Sequence, residues 1–271
     1  MPLPRRKDER VRIDNLTNLQ RAIRAQHFGG WLFCDFHNRE HIAYRVLGLD
    51  IRKPCTRRWF YFVPARGTPV KLVHAIEPQF LAALPGKTRI YAGWEALHRE
   101  LKSMLREADR NVRPTVAMQY SPMNNIPSVS LVDAGTVELV RSCGVKVVSS
   151  ADLVQQLYSV IDEKRFALHA KAGRYVQQIK DDAFALVFDS LRRRKALTEL
   201  DVQRFILERF KAAKLTCENH APIVAANDHA ADPHFEPTAK NARRLKKNDR
   251  LLIDRPGRRA RDAILAAQQH V

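Results

Sequence analysis

Ala221-Pro222-Ile223-Val224-Ala225-Ala226-Asn227, then Pro233-His234-Phe235-Glu236-Pro237-Thr238, then Leu245-Lys246-Lys247-Asn248-Asp249-Arg250-Leu251-Leu252-Ile253-Asp254, form the stretch on which the reading of this chain turns. Its outer pieces are short apolar runs bounded by polar residues, which predicts strands over 221–225 and 250–254. Between them lies a polar loop rich in His and Asp, where chemistry is expected. A carboxylate at the end of an apolar strand is costly to bury unless a cation offsets that cost, which makes Asp254 a candidate metal ligand. His234, held by the preceding proline, is placed to orient or protonate a substrate oxygen. The structural alternatives are an Asp254 that caps the next turn and a His234 that is an ordinary surface histidine.

Immediately upstream, the pattern is helical. Residues 162 to about 191 predict one long helix with an apolar stripe through Phe166, Ala170, Gly173, Val176, Ile179, Ala183 and Val187. A second helix opens at Thr198-Glu199-Leu200-Asp201 and runs to about Ala213, with Thr198 as its cap and Asp201 in the positive first turn. Before residue 160 the pattern differs. Strands are expected at 30–34, 58–63, 70–73, 89–91, 115–118 and 145–148, alternating with helices at 16–26, 94–108 and 134–143. That alternation predicts an α/β layer domain, and the change near 160 predicts a domain boundary. His37-Asn38-Arg39-Glu40-His41 fits the letters HxxEH of a zinc-peptidase helix. It follows a strand directly, however, and reads as a turn into a short helix whose Ile42, Tyr44 and Leu47 pack on the sheet.

Composition bounds the rest. The 271 residues are 45% hydrophobic and 28% charged, enough to bury a core and to exclude disorder as the main state. Lys and Arg number 47 against 29 Asp and Glu, a formal charge of +18. Such a charge permits a nucleic acid or another anionic partner. The basic runs, Arg5-Arg6-Lys7 and Arg192-Arg193-Arg194-Lys195 among them, are short and lack an aromatic-rich nucleic-acid motif, so solvated helix ends and turns are the plain reading. No apolar run approaches the roughly 20 residues of a membrane span, and no secretory signal opens the chain, so a soluble cytoplasmic protein is expected. Cys34, Cys55, Cys143 and Cys217 are scattered without CxxC spacing, which argues against a disulfide framework or a cysteine-built zinc site.

The helix, the Thr-Glu-capped helix and the pieces PIVAAN, PHFEPT and LKKNDRLLID occur in the order of the pita-bread metallopeptidases, and the chain resembles that family of Xaa-Pro aminopeptidases, prolidases and creatinases over roughly residues 12–254. The segment from Asn38 to Gly48 resembles the family's N-terminal domain, in which the HxxEH letters are structural. The resemblance implies a ribonuclease H-like α/β creatinase N-terminal domain over 1–160, an incomplete α+β pita-bread domain over 161–254 and a divergent tail over 255–271. It further implies two divalent ions, often manganese, which activate a water for hydrolysis of the N-terminal residue from Xaa-Pro peptides. Asp254 matches the first of the two aspartates that hold the metals, and His234 matches the histidine that contacts substrate. A homodimer through the N-terminal domain is also implied.

The remaining ligands of this pattern, a second Asp, one His and two Glu, have no counterpart. Leu265 stands where the second aspartate is expected, Asp262 comes too early, and residues 255–261 do not read as a strand. The expectation is therefore a truncated, inactive family member that binds no metal stably. Two other readings stand beside it: a noncatalytic module binding peptides or nucleic acid, and a metal-independent creatinase-like hydrolase centred on His234.

Overall fold

The computed structural model describes residues 16–108, 114–161, 163–217, 221–259 and 267–269, and divides at Val160 and Ile161 into two units. Arg5-Arg6-Lys7, Asp262 and Leu265 lie outside the described residues.

In the first unit, near-continuous aromatic and aliphatic runs form strands buried on both faces, as expected for the middle of a layered α/β sheet. The strands are β1 (Gly30–Asp35), β2 (Trp59–Pro64), β3 (Val70–His74), β4 (Lys87–Tyr91), β5 (Thr115–Met118) and β6 (Lys146–Ser149). Every position of β1 and β2 is buried. The sheet runs β4-β3-β2-β1-β5-β6. β2 is antiparallel to both β1 and β3, whereas β1, β5 and β6 run parallel, as do β3 and β4. Trp31, Phe33, Trp59 and Tyr61 face one core cluster together with α1 (Leu16–Ala25), α2 (His41–Leu47) and α5 (Ala151–Tyr158). Leu32, Phe60, Phe62 and Met118 face the other, under α3 (Trp94–Ala108) and α4 (Ala134–Ser142). Each large side chain so buried contributes about 1.5–3 kcal/mol. Gly86 has φ +117°, and a Cβ there would stand 2.3 Å from the Pro69 carbonyl oxygen, so only glycine fits where β4 meets β3.

The segment His37–His41 is a turn and a helix cap. His37 and Asn38 both have positive φ, of 63° and 58°. Asp35, at the carboxyl end of β1, accepts from the backbone N–H groups of Asn38, Arg39 and Glu40 at 2.8, 2.8 and 2.9 Å and from the Tyr44 hydroxyl at 3.0 Å. Asn38 donates to the carbonyls of Ile51 and Lys53 and accepts from Cys55 N–H, which pins the loop after α2. Glu40 caps α2 by accepting from Ala43 N–H. Its side chain is buried while His41 is exposed, so the letters of a zinc helix serve a fold-internal corner.

In the second unit, α6 (Glu163–Arg192) and α7 (Glu199–Ala212) pack with β8 (Ile223–Ala226) and β9 (Leu251–Arg259). The core holds Val176, Ile179, Ala183, Val202, Ile206, Phe210, Val224 and Ile253. α7 starts with the expected reciprocal cap: Thr198 Oγ1 accepts from Asp201 N–H at 3.2 Å, and Asp201 accepts from Thr198 N–H at 2.9 Å. Two expectations are corrected. Phe166 does not join the buried stripe of α6 but is 62% exposed, because the neighbours that bury α6 begin further along it, at Ala172. Residues beyond Asp254 do form a strand. β9 continues to Arg259 because it gains antiparallel partners in β7 (Leu215–Thr216) and β10 (Ala267–Gln269), which supply the ladder hydrogen bonds that local propensity does not promise.

Candidate functional site

β8 and β9 pair antiparallel, with Ala226 opposite Leu251 and Ile223 opposite Asp254, and the loop between them carries the His-rich segment. The hairpin is closed at Asn227, whose backbone turns with φ 55°. Its N–H donates to the Arg250 carbonyl at 2.9 Å, its side-chain oxygen accepts from Arg250 N–H at 3.0 Å, and its amide donates to Asp249 at 2.9 Å.

The centre of the loop is Glu199, the first residue of α7, which is fully buried. Burying a carboxylate demands donors, and Glu199 finds them on two distant stretches. One oxygen accepts from Ala226 N–H at 2.6 Å and the other from Arg243 N–H at 2.7 Å, while His229 Nδ1 lies 2.9 and 3.1 Å from the two. His229 stacks on Phe235 with ring centroids 4.2 Å apart. With the carboxylate at Nδ1, the imidazole proton belongs on that nitrogen, and Nε2 is left as the basic one. Asp228 and Arg243 form an outer ion pair over this hub, one of its contacts 3.0 Å long. Arg243 therefore serves twice, by backbone to Glu199 and by side chain to Asp228, and the Asp228 carboxyl is held below the usual range by that hydrogen bond.

Of the two residues singled out from sequence, Asp254 is partly buried on β9 and His234 is exposed on the loop, its backbone N–H donating to Asp232 at 2.9 Å. Phe235, next to His234, is buried and anchors the segment. A two-metal centre needs several converging oxygen and nitrogen donors. Among the described residues, no three His, Cys, Asp or Glu side chains converge to hold a metal ion. The described residues thus do not fit a two-metal centre. Sequence reasoning missed the Glu199–His229 pair. The available signal was an acidic residue directly after the Thr198 cap, followed downstream by a histidine in a polar loop.

Residues 171–259 match the model of metallopeptidase family M24. This part of the chain is M24-like. The matched span covers α6 from Lys171 onward, the capped α7 and the whole β8–β9 hairpin, so the likeness extends to Arg259, past the Asp254 boundary drawn from sequence. No curated protein sequence matches the chain significantly. Among solved structures, a dipeptidase PepE from Mycobacterium ulcerans shares 19% identity at TM-score 0.56, over 90% of this chain and 60% of that one. An X-prolyl aminopeptidase from Caenorhabditis elegans, described as a cytosolic enzyme with a di-nuclear active site, shares 14% at TM-score 0.56, over 94% and 40%. A prolidase from Thermococcus sibiricus shares 15% at TM-score 0.52, over 91% and 61%. At these identities the likeness is one of fold, a mixed α/β architecture common to all three. The chain spans 61% of the length of that prolidase. Among the described residues, no helix is long and apolar enough to cross a membrane.

Proposed function

We propose that this chain carries an N-terminal domain of the creatinase kind, within residues 1–160, and the opening part of a Xaa-Pro peptidase-type catalytic domain after it. In a complete cytoplasmic enzyme of this type, Asp254 is one ligand of a divalent metal pair, with manganese as the expected metal, and His234 is a substrate contact on a peptide with proline second. The single observation supporting this reading is that the M24 match falls on the hairpin whose strand β9 bears Asp254 and whose loop bears His234. Glu199 then acts as a positioning residue, which holds the loop ends at Ala226 and Arg243 so that the Phe235 anchor presents His234 outward.

The 271-residue chain by itself hydrolyses no such peptide, because the donor set among the described residues falls short of two ions. The test is incubation of the purified chain with manganese and a Xaa-Pro peptide, read by chromatography, alongside calorimetric titration of the metal. No turnover and no stoichiometric pair of tightly held ions are expected. Turnover that disappears in Asp254→Asn would overturn the proposal of inactivity, and two tightly bound ions would overturn the account of the donor set.

A second reading has its own observation. Leu245 N–H donates to the Leu197 carbonyl at 2.9 Å, and Thr198 bridges to Arg244, which sets two basic stretches side by side. Arg192, Arg193, Arg194 and Lys195 on one, and Arg244, Lys246 and Lys247 on the other, are all exposed. This surface suits an acidic peptide or a nucleic acid. Binding that weakens steeply with salt would support it, and salt-independent binding would count against it.

A further inference from the structure

The parallel strands β1, β5 and β6 of the first unit carry polar residues at or just past their carboxyl ends, Asp35 standing two positions beyond the level of Gln119 in the β1–β5 register. Asp35, Gln119 and Ser150 have the parity of Phe33, Ala117 and Val148, which pack in a single core cluster with Tyr44 and Leu153. Glu40 enters the same corner from the start of α2. All four are at most 7% exposed.

The two carboxyl groups in this corner are unequally served. Asp35 receives three backbone N–H groups and the Tyr44 hydroxyl. Glu40 receives Ala43 N–H on one oxygen, while its Oε1 is buried and without a hydrogen-bond partner. At the ends of β5 and β6, the Gln119 amide and the Ser150 hydroxyl are also buried and without partners. Cys34 on β1 is felt by Glu40, Asp35 and Asp133, and Arg58 is the one cation among its influences. Arg58 is itself engaged over the rings of Phe36 and Trp94. Tyr44 of α2 donates to Asp35, and Asp152 of α5 is exposed. A buried carboxyl with one oxygen unpartnered favours its neutral form, all the more beside a second acidic group.

We propose that Glu40, buried beside Asp35 with one carboxyl oxygen unpartnered, holds a proton at neutral pH, and that alkaline pH expels this proton and loosens the start of α2. The energetic direction agrees. Burial pushes the Glu40 carboxyl up to about 8 from 4.5, with the Asp35 charge adding to the rise and the Ala43 hydrogen bond offsetting part of it. Between these two values the folded chain holds more protons than the unfolded chain, so raising the pH favours unfolding. The stability contributed by the protonated Glu40 is fully present below 4.5 and is lost as pH rises through about 8.

The test uses the full chain with 13C-labelled glutamate carboxyl carbons, followed by NMR across pH. One resonance should titrate near pH 8, well away from the ordinary value of 4.5, and vanish in Glu40→Gln. In parallel, the urea midpoint read by tryptophan fluorescence should fall from about pH 5 to about pH 8 in the natural chain, and its slope should flatten in Glu40→Gln. If every glutamate carbon titrates in the ordinary carboxylate range, or if the variant keeps the full slope, Glu40 holds no such proton. Should the variant fail to fold, the titration of the unaltered chain decides alone.

Discussion

Replacing Glu199 with Ala should unfasten the second unit while leaving the first intact. The side chain is fully buried and serves as common acceptor for Ala226 N–H, Arg243 N–H and His229 Nδ1. Truncation leaves the Ala226 donor orphaned in the core, because Ala226 is itself 0% exposed, whereas Arg243 lies where water reaches it in part. An orphaned buried donor costs about 1–3 kcal/mol, and the partly solvated donors add less, so a loss of about 3–5 kcal/mol is expected. Glu199→Gln retains one acceptor oxygen and should lose about 1–2 kcal/mol. The chain supplies its own control, because its tryptophans, Trp31, Trp59 and Trp94, all lie in the first unit. Urea unfolding followed by fluorescence should hardly change, while amide exchange at Ala226 and Arg243 should accelerate. Unchanged exchange at both amides in Glu199→Ala would refute the assignment of Glu199 as the hub of this loop.

Thr198→Ala removes one half of the reciprocal cap on α7 and should cost about 1 kcal/mol by denaturant unfolding of the second unit. Gly86→Ala forces a Cβ to within 2.3 Å of the Pro69 carbonyl at a positive φ, and should lower the unfolding free energy read by fluorescence by about 2 kcal/mol or more. Asn38→Ala releases the carbonyls of Ile51 and Lys53 and the amide of Cys55, and limited proteolysis should then cut the exposed stretch 51–54 faster than in the natural chain.

Elements whose cause is local were readable from the residues alone. α3 spans 94–108 as its periodicity requires, and the Thr198–Asp201 cap forms because its partners are three residues apart. The strands of the first unit shift from their expected ends by no more than a residue or two, since their aromatic and β-branched runs are bounded by turn residues. What the tertiary structure decided is everything held by distant partners. Glu199 meets Ala226 and Arg243 across 27 and 44 residues, which no spacing rule encodes. Strand β9 outlasts Asp254 because Leu215 and Thr216 pair with its far end and β10 with the positions before it, and Phe166 lies exposed because, among the described residues, the buried neighbours of α6 begin further along it. The HNREH letters make the same point at smaller scale. Their spacing suits a helix face, but the left-handed turn at His37 and Asn38 sends Glu40 inward to the Asp35 corner and leaves His41 outside. Local hydrogen bonds are written in the order of residues, whereas burial of a carboxylate depends on which remote donors the fold delivers to it.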